Sequence, residues 1–297
     1  MMLSLAFLLP GICTMLITGK TGGNQRKMGI TVTLKGGEKI DGEQFVVGMA
    51  ASELSYVKEE EALKAWMIVC RTNFLKAVGD GKAVKEKELA LDYISEEALE
   101  KNNGRKAWVE VHNKLEKASE ETFGEVLYYG KEKIDALYHP VSTGRTVSAG
   151  EIYEVEVPYL VSVDSSQDVE SEEYMSMKIM TYEECAKKLK KGGYQETADN
   201  CKQNLKVEAQ TAGGFVQKVS TGNHSWTGEE WKKLFSLNSS NFYLEDYGGR
   251  LRIVTIGKGH GMGMSLYGAN GLAEKGLAGE TILSYYYPGT ELKNEFP

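Results

Sequence analysis

The chain has 297 residues, a net charge of −7, 41% hydrophobic residues and 26% charged residues. These are ordinary values for a globular protein that buries a sizeable core, arranged as about two domains or as one domain with two lobes. The acidic balance leaves no electrostatic footprint for nucleic acid, which excludes that partner class, and it argues against simple charge attraction to anionic lipid or wall polymers.

In chain order, Met1 to Gly19 contains no charged side chain, and Leu3 to Ile17 is mostly apolar apart from Pro10-Gly11. That length is near the lower limit for a spanning helix and long for a signal-peptide core. No Ala-x-Ala-like cleavage site follows, so an uncleaved anchor is expected over a cleaved signal for residues 1–19. Lys20, Arg26 and Lys27 lie after the segment and nothing basic precedes it, which by the positive-inside rule places the following chain in the cytoplasm. Residues 20–29 read as a polar linker, and residues 30–297 as the folded domain.

Ile30 to Leu34 and Phe45 to Met49 read as short strands around a Gly-rich turn. Glu59 to Val78 reads as a helix, and its nearly all-apolar middle, Ala62 to Cys70, predicts burial on most sides. Trp108 to Phe123 carries Trp108, Val111, Leu115, Ala118 and Thr122 at three- and four-residue steps, a second helix. Glu125–Leu127 and Ile134–His139 are strand-like, Tyr182–Lys191 is a charged surface helix, and Phe215–Ser220 and Leu251–Ile256 are strands. Strands and helices mix without regular βαβ alternation, so the expected class is α+β: short strands and helices in one two-lobed domain with a substrate cleft.

No Cys-x-x-Cys occurs among Cys13, Cys70, Cys185 and Cys201, and the four histidines are scattered. Neither zinc spacing nor a disulfide framework is visible, so no metal and no cofactor are expected. Cys185 and Cys201 read equally as a bridge or as two free thiols.

The most informative stretch is Gly257 to Gly276, GKGHGMGMSLYGANGLAEKG. Gly257, Gly259, Gly261 and Gly263 fall at every second position, which predicts a strand with one bare face, made for close approach of a ligand or another backbone. Ser265 to Lys275 reads as a short helix with Gly276 as its C-cap. The spacing fits neither a dinucleotide loop nor a nucleophile elbow. His260 either polarises a ligand hydroxyl or braces the corner.

Upstream, Glu53 follows a strand-like run and neighbours Ala50, Ala51 and Leu54. A desolvated carboxyl there has its pKa raised, as a general acid requires, although a solvated or helix-capping glutamate fits the residues as well. Arg71 ends the apolar part of its helix, where a guanidinium must pair with a structural acid or reach a polar cleft. His139 to Ser148, HPVSTGRTVS, is a polar loop with four hydroxyls, one arginine and one imidazole. Ser142, Arg145 and His139 in it suit sugar hydroxyls and acetamido oxygens, or simply a hydrated loop.

Together these motifs resemble the stage II sporulation protein D family. GHGMGMSLYGA followed by YYYPGT is similar to its C-terminal signature, and VVGMAASEL with the helix after it to the segment carrying its catalytic glutamate. ALYHPVSTGRTVSAGEIY is similar to its Ser/Thr-rich loop, and VPYLVSVDSSQD to the segment next to that loop. The likeness runs from about Phe45 to Leu292 in compatible order. It departs at Leu54-Ser55, where the family often has Met-Pro, and at Val161, where it usually has lysine. The resemblance implies a peptidoglycan lytic transglycosylase, or a relative that enhances amidases. It implies Glu53 as the catalytic acid and Arg71, His139, Ser142, Arg145, Tyr159 and His260 as substrate-binding. It also implies glycan strands, a sporulation amidase and the membrane scaffold of an engulfment complex as partners. Some family members hold a metal with cysteines near this loop, but no cysteine accompanies His139 here, so none is carried over. The resemblance places the domain outside the cytoplasm, against the charge bias, and the expectation is a basic leader ahead of Met1.

Overall fold

The computed structural model describes residues 26–296; the anchor expected over residues 1–19, and the linker as far as residue 25, lie outside the described residues. The architecture is α+β, as the mixed pattern predicts. The chain falls into two units: Leu137–Gly289 forms one, and the residues before it together with Thr290 onward form the other.

In the first unit, β1 (Thr31–Thr33) pairs antiparallel with β2 (Lys39–Asp41) and parallel with β3 (Ala83–Lys85). The stretch after β2 is a helix, α1 (Gly42–Ala51), and not the strand expected over Phe45–Met49. The run FVVGMAA is apolar at nearly every position and so carries no period; its start signal decides. Asp41 is extended (φ −73°, ψ 153°), its carboxylate accepts the Glu43 N–H at 3.0 Å, and the Gln44 side chain accepts the Asp41 N–H at 3.1 Å. That is a capping box, a sequence-local instruction to begin a helix. Phe45, Val46 and Ala50 are fully buried, and a Phe so placed contributes about 1.5–3 kcal/mol relative to exposure.

Helix α2 (Glu60–Val78) is buried through its middle as predicted, and Gly79 (φ 61°) ends it. The Trp66 indole donates to the Ala50 carbonyl at 3.0 Å and ties α2 to the end of α1. After a short helix α3 (Glu86–Leu89) come α4 (Glu96–Asn103) and α5 (Arg105–Glu121). α5 starts three residues before the expected Trp108 because Gly104, at φ 77°, provides the break. β4 (Glu125–Tyr129) lies between β5 (Glu132–Lys133) and the last strand of the chain, Glu291–Asn294. The Thr72 hydroxyl of α2 accepts the Leu127 N–H at 3.0 Å, which fixes β4 on that helix.

The second unit begins with β6 (Tyr138–His139), a two-residue strand at the end of the strand expected over Ile134–His139. A one-turn helix α6 (Ala149–Tyr153) and a 3-10 turn (Ser166–Glu170) follow. β7 (Met175–Met180) later edges an antiparallel sheet with β12 (Arg250–Ile256) at its centre and β11 (Phe242–Tyr247) on the far side. Helix α7 (Tyr182–Lys191) has the expected bounds, set by the Thr181–Glu184 capping box. Next come α8 (Ala198–Asn204), an antiparallel sheet of β8 (Lys206–Gln210), β9 (Val216–Ser220) and β10 (Ser225–Trp226), and α9 (Gly228–Phe235). Their core gathers Trp226, Trp231, Phe235, Phe242 and Leu189, with Cys185 and Cys201 among them as buried free thiols. Finally β13 (Met264–Ser265) pairs parallel with β6, and α10 (Leu266–Glu274) and α11 (Gly279–Tyr286) close the unit.

Candidate active site

Glu53 lies in the turn between α1 and α2 rather than at a strand end. It is half-buried, follows buried Ala50 and Ala51, and its carbonyl accepts the Tyr56 N–H at 3.0 Å, closing the turn. Ser52, ahead of it, donates its hydroxyl to the Met49 carbonyl at 2.7 Å. The carboxyl is thus carried on a short turn braced at both ends by buried helices.

Arg71 corrects its cleft assignment. It is fully buried, and its guanidinium pairs with both oxygens of Glu43, at 2.6 and 3.1 Å. The remaining N–H groups reach the Thr122 carbonyl at 2.7 Å and hydroxyl at 3.3 Å, and the Ser119 hydroxyl donates to Glu43 at 2.6 Å. Every donor is spent inside the core, so Arg71 is a structural ion pair, the other outcome open to a guanidinium at that helix position.

In the second unit the glycine run is not a strand. Gly257, Gly259, Gly261 and Gly263 have φ of 71°, 105°, 82° and 69°. That region is nearly closed to other residues, which explains glycine at every second position. The expected close approach is present. The run lies beside the His139–Ser148 loop through single bridges, Val141 with Lys258 and Val147 with Met262. A Cβ on Gly259 would stand 2.6 Å from the Cβ of His139, and one on Gly263 only 1.9 Å from the Leu137 carbonyl oxygen. Gly257 and Gly263 accommodate another backbone, while Gly259 and Gly261 make room for the side chains of His139 and Phe215.

This pairing brings His139 and His260 together, with ring centroids 5.9 Å apart. His139 is buried, not solvated, and its Nδ1–H donates to the Met262 carbonyl at 3.0 Å. A carbonyl can only accept, so Nε2 carries the lone pair; it has no partner among the described residues. Burial first, and then the neighbouring His260, pushes the His139 pKa down to about 3, so the ring is neutral. His260 accepts the Met262 N–H at Nδ1, 3.1 Å away, and its pKa is lowered, chiefly by burial and then by Lys232. It borders a cavity of about 600 Å³ lined also by Tyr153, Phe215, Gln217 and Lys232.

The other loop residues are differently placed. Ser142 is fully buried and donates to Asp168 at 2.8 Å. Ser265 donates to the second Asp168 oxygen at 2.7 Å, Ser165 also donates to Asp168, and Tyr286 donates to Ser165 at 2.9 Å. Asp168, which sequence reasoning missed, therefore pins the loop, the 3-10 turn and the start of α10 to one carboxyl. Its burial raises its pKa, with the serine hydroxyls opposing. Nothing in SSQD marks it beyond its lying in a family-like segment. Ser142 is thereby a strut rather than a ligand contact. Arg145 reaches the surface but is held by Glu151 at 2.9 Å. Tyr159 is half-buried, next to Leu160, whose carbonyl accepts the Ala149 N–H at 3.0 Å.

Comparison with known proteins places the chain in a family. The chain is 30% identical over 263 residues to Stage II sporulation protein D of Bacillus subtilis, covering 86% of this chain and 75% of that protein. The chain belongs to the stage II sporulation protein D family. The homologue from Bacillus amyloliquefaciens matches at the same identity and coverage, and a profile of the family described as Stage II sporulation protein matches residues 32–129. That profile spans both Glu53 and the buried Arg71–Glu43 pair. The chain is also similar, at 23% identity over 294 residues, to the Amidase enhancer of Bacillus subtilis, covering 82% of this chain and 40% of that protein. The sporulation protein D likeness extends through most of the chain, so it takes in the second unit as well as the first.

Proposed function

We propose that this chain is a lytic transglycosylase that cleaves the MurNAc-GlcNAc β-1,4 bond of peptidoglycan during sporulation. The observation that carries the reading is Glu53: a half-buried carboxyl on a braced turn, within the segment matched by the family profile. Ordinary glycosidases need a second carboxylate to activate water or attack the sugar. Here the nucleophile is within the substrate, the 6-hydroxyl of N-acetylmuramic acid. Glu53 gives its proton to the glycosidic oxygen as the C1–O bond breaks. The resulting carboxylate then takes the proton of the 6-hydroxyl as its oxygen bonds to C1. The enzyme returns to its starting protonation, and the product ends in a 1,6-anhydro sugar. The cavity beside His260, with its tyrosine, phenylalanine and glutamine, suits the alternating apolar faces and hydroxyls of a saccharide. Arg145 and Tyr159 remain candidates for further glycan contacts.

In this proposal the protein is membrane-anchored with its catalytic part outside the cytoplasm, in the intermembrane space of the sporulating cell. It remodels septal wall during engulfment together with an amidase and a membrane scaffold. The likeness to an amidase enhancer favours one second reading, a peptidoglycan-binding protein that stimulates an amidase without cutting glycan. A muropeptide digest of purified glycan separates them: anhydro ends mean an enzyme, and their absence without an amidase means an enhancer.

A further inference from the structure

The second unit holds two cysteines, Cys185 and Cys201, and the glycan-cleaving reading uses neither. Cys185 lies on the core stripe of α7, with Tyr182, Ala186 and Leu189. Cys201 is the one buried residue of α8. Both are fully buried in one core, and the Cys185 thiol donates a hydrogen bond to the Cys201 sulfur. The two sulfurs are therefore in contact across two helices. A single buried cysteine is ordinarily an inert small hydrophobe. Two in contact are also a dithiol, able to close a bond between the helices that carry them.

The anchorage of the two helices is unequal. Helix α7 sets four side chains into the core, whereas α8 is seven residues long and sets in one, beside the partly buried Ala198 and the following Leu205. Asn200 adds hydrogen bonds to the Glu196 carboxylate at 2.6 Å and to the Thr221 carbonyl at 3.3 Å. A short helix with so little buried surface opens at lower cost than the sheets around it, and its opening frees Cys201. Cys201 is also the readier thiolate. The shared hydrogen bond, and then burial, push the Cys185 thiol up, while the same bond lowers Cys201 against its burial. We propose that Cys185 and Cys201 form a dithiol site that a thiol–disulfide exchange partner converts to an intrachain disulfide, stapling α8 to α7. The Cys201 thiolate attacks one sulfur of the partner's disulfide and expels the other as a thiolate, giving a mixed disulfide. The Cys185 sulfur, giving up its proton, then displaces the partner's remaining sulfur. The chain loses two electrons and two protons and gains one S–S bond, and the partner's disulfide becomes two thiols.

The proposal stands independently of glycan cleavage, since neither cysteine borders the cavity beside His260. The folded full chain is equilibrated with oxidised glutathione, or with reduced glutathione as the reference. Free thiols are then alkylated in denaturant, and the proteolytic peptides are identified by mass. The oxidised sample should yield a linked peptide carrying Cys185 and Cys201, with Cys70 alkylated, and reduction should abolish the link. Fifteen residues lie between the two cysteines. Closing that loop should raise the urea midpoint, read by the emission of Trp226 and Trp231, by about 1–2 M. Cys201→Ala should remove both the link and the shift, and the comparison of the two wild-type states keeps the test valid if that variant does not fold. Absence of the linked peptide from the folded oxidised chain, capping of each cysteine by glutathione in its place, or a linked form with the midpoint of the reduced one would each overturn the assignment.

Discussion

Replacing Gly263 with alanine tests the packing account of the glycine run at its tightest point. Alanine at φ 69° occupies the left-handed region, which costs about 1–2 kcal/mol. The new Cβ would lie 1.9 Å from the Leu137 carbonyl oxygen and 3.2 Å from the Tyr287 ring. That oxygen cannot simply retreat, because it accepts the Met264 N–H at 3.0 Å and the Tyr287 hydroxyl at 2.7 Å. Overpacking of this kind costs typically about 1–3 kcal/mol, and each hydrogen bond lost adds about 1 kcal/mol. The expected destabilisation is about 3–6 kcal/mol, a large share of the ~5–15 kcal/mol that holds a typical protein folded. Gly276→Ala is the control: its φ is 87°, but nothing lies within 4 Å of a Cβ there, so only the ~1–2 kcal/mol of backbone strain applies. Urea unfolding followed by the emission of buried Trp226 and Trp231 reports on this unit. Gly263→Ala should lose at least twice the stability lost by Gly276→Ala. Equal losses in the two variants would show that the glycines are there for φ alone and that close approach plays no part.

Arg71→Leu should cost about 3–5 kcal/mol by stranding the Glu43 carboxylate in the core; glycan cleavage per folded molecule should stay near wild type, and a specific loss of turnover at full stability would return Arg71 to the site. Acid should destabilise the fold through His139. Its folded pKa of about 3 lies below the ordinary 6.5, so its contribution is complete above pH 6.5 and is lost as pH falls towards 3; by pH 5 the loss is roughly 2 kcal/mol. His139→Gln should flatten the urea midpoint between pH 7.5 and 5, and an unchanged slope would contradict the buried neutral ring. Asp168→Ala strands the Ser142, Ser165 and Ser265 hydroxyls and should cost about 3 kcal/mol or more. Ser265→Ala should cost about 1–2 kcal/mol, since that residue also caps α10, and a folded but inactive Ser265→Ala would make the serine part of the chemistry.

How much of the molecule is legible in the sequence depends on how local each signal is. The bounds of α7 are readable because Thr181 and Glu184 announce its start and lysines populate its end. Helix α1 reads as a strand because FVVGMAA offers no period, although the deciding Asp41-x-x-Gln44 pattern stands just before it. The four glycines mark a place of close approach, and the structure has one there. Their conformation is not legible, because alternation in a sequence does not separate a bare strand face from a series of positive-φ turns. Of the candidate residues, His139 and His260 meet because Met262 offers its carbonyl to one ring and its N–H to the other. The types of Ser142 and Arg71 leave a structural role open beside a ligand-facing one, which only the resemblance selects, and their partners, Asp168 and Glu43, are 26 and 28 residues away. Polar side chains of this kind declare their role only through the partner that the fold supplies.

The most direct test of the functional account is the product profile of Glu53→Gln. Purified glycan strands, with and without stem peptides, are incubated with wild-type and variant protein, and the muropeptides are separated by mass. Loss of a general acid should reduce the release of 1,6-anhydro ends by roughly two to four decades, with the variant unfolding at the wild-type urea midpoint. Anhydro ends released by Glu53→Gln at the wild-type rate would remove Glu53 from the chemistry and the proposal with it.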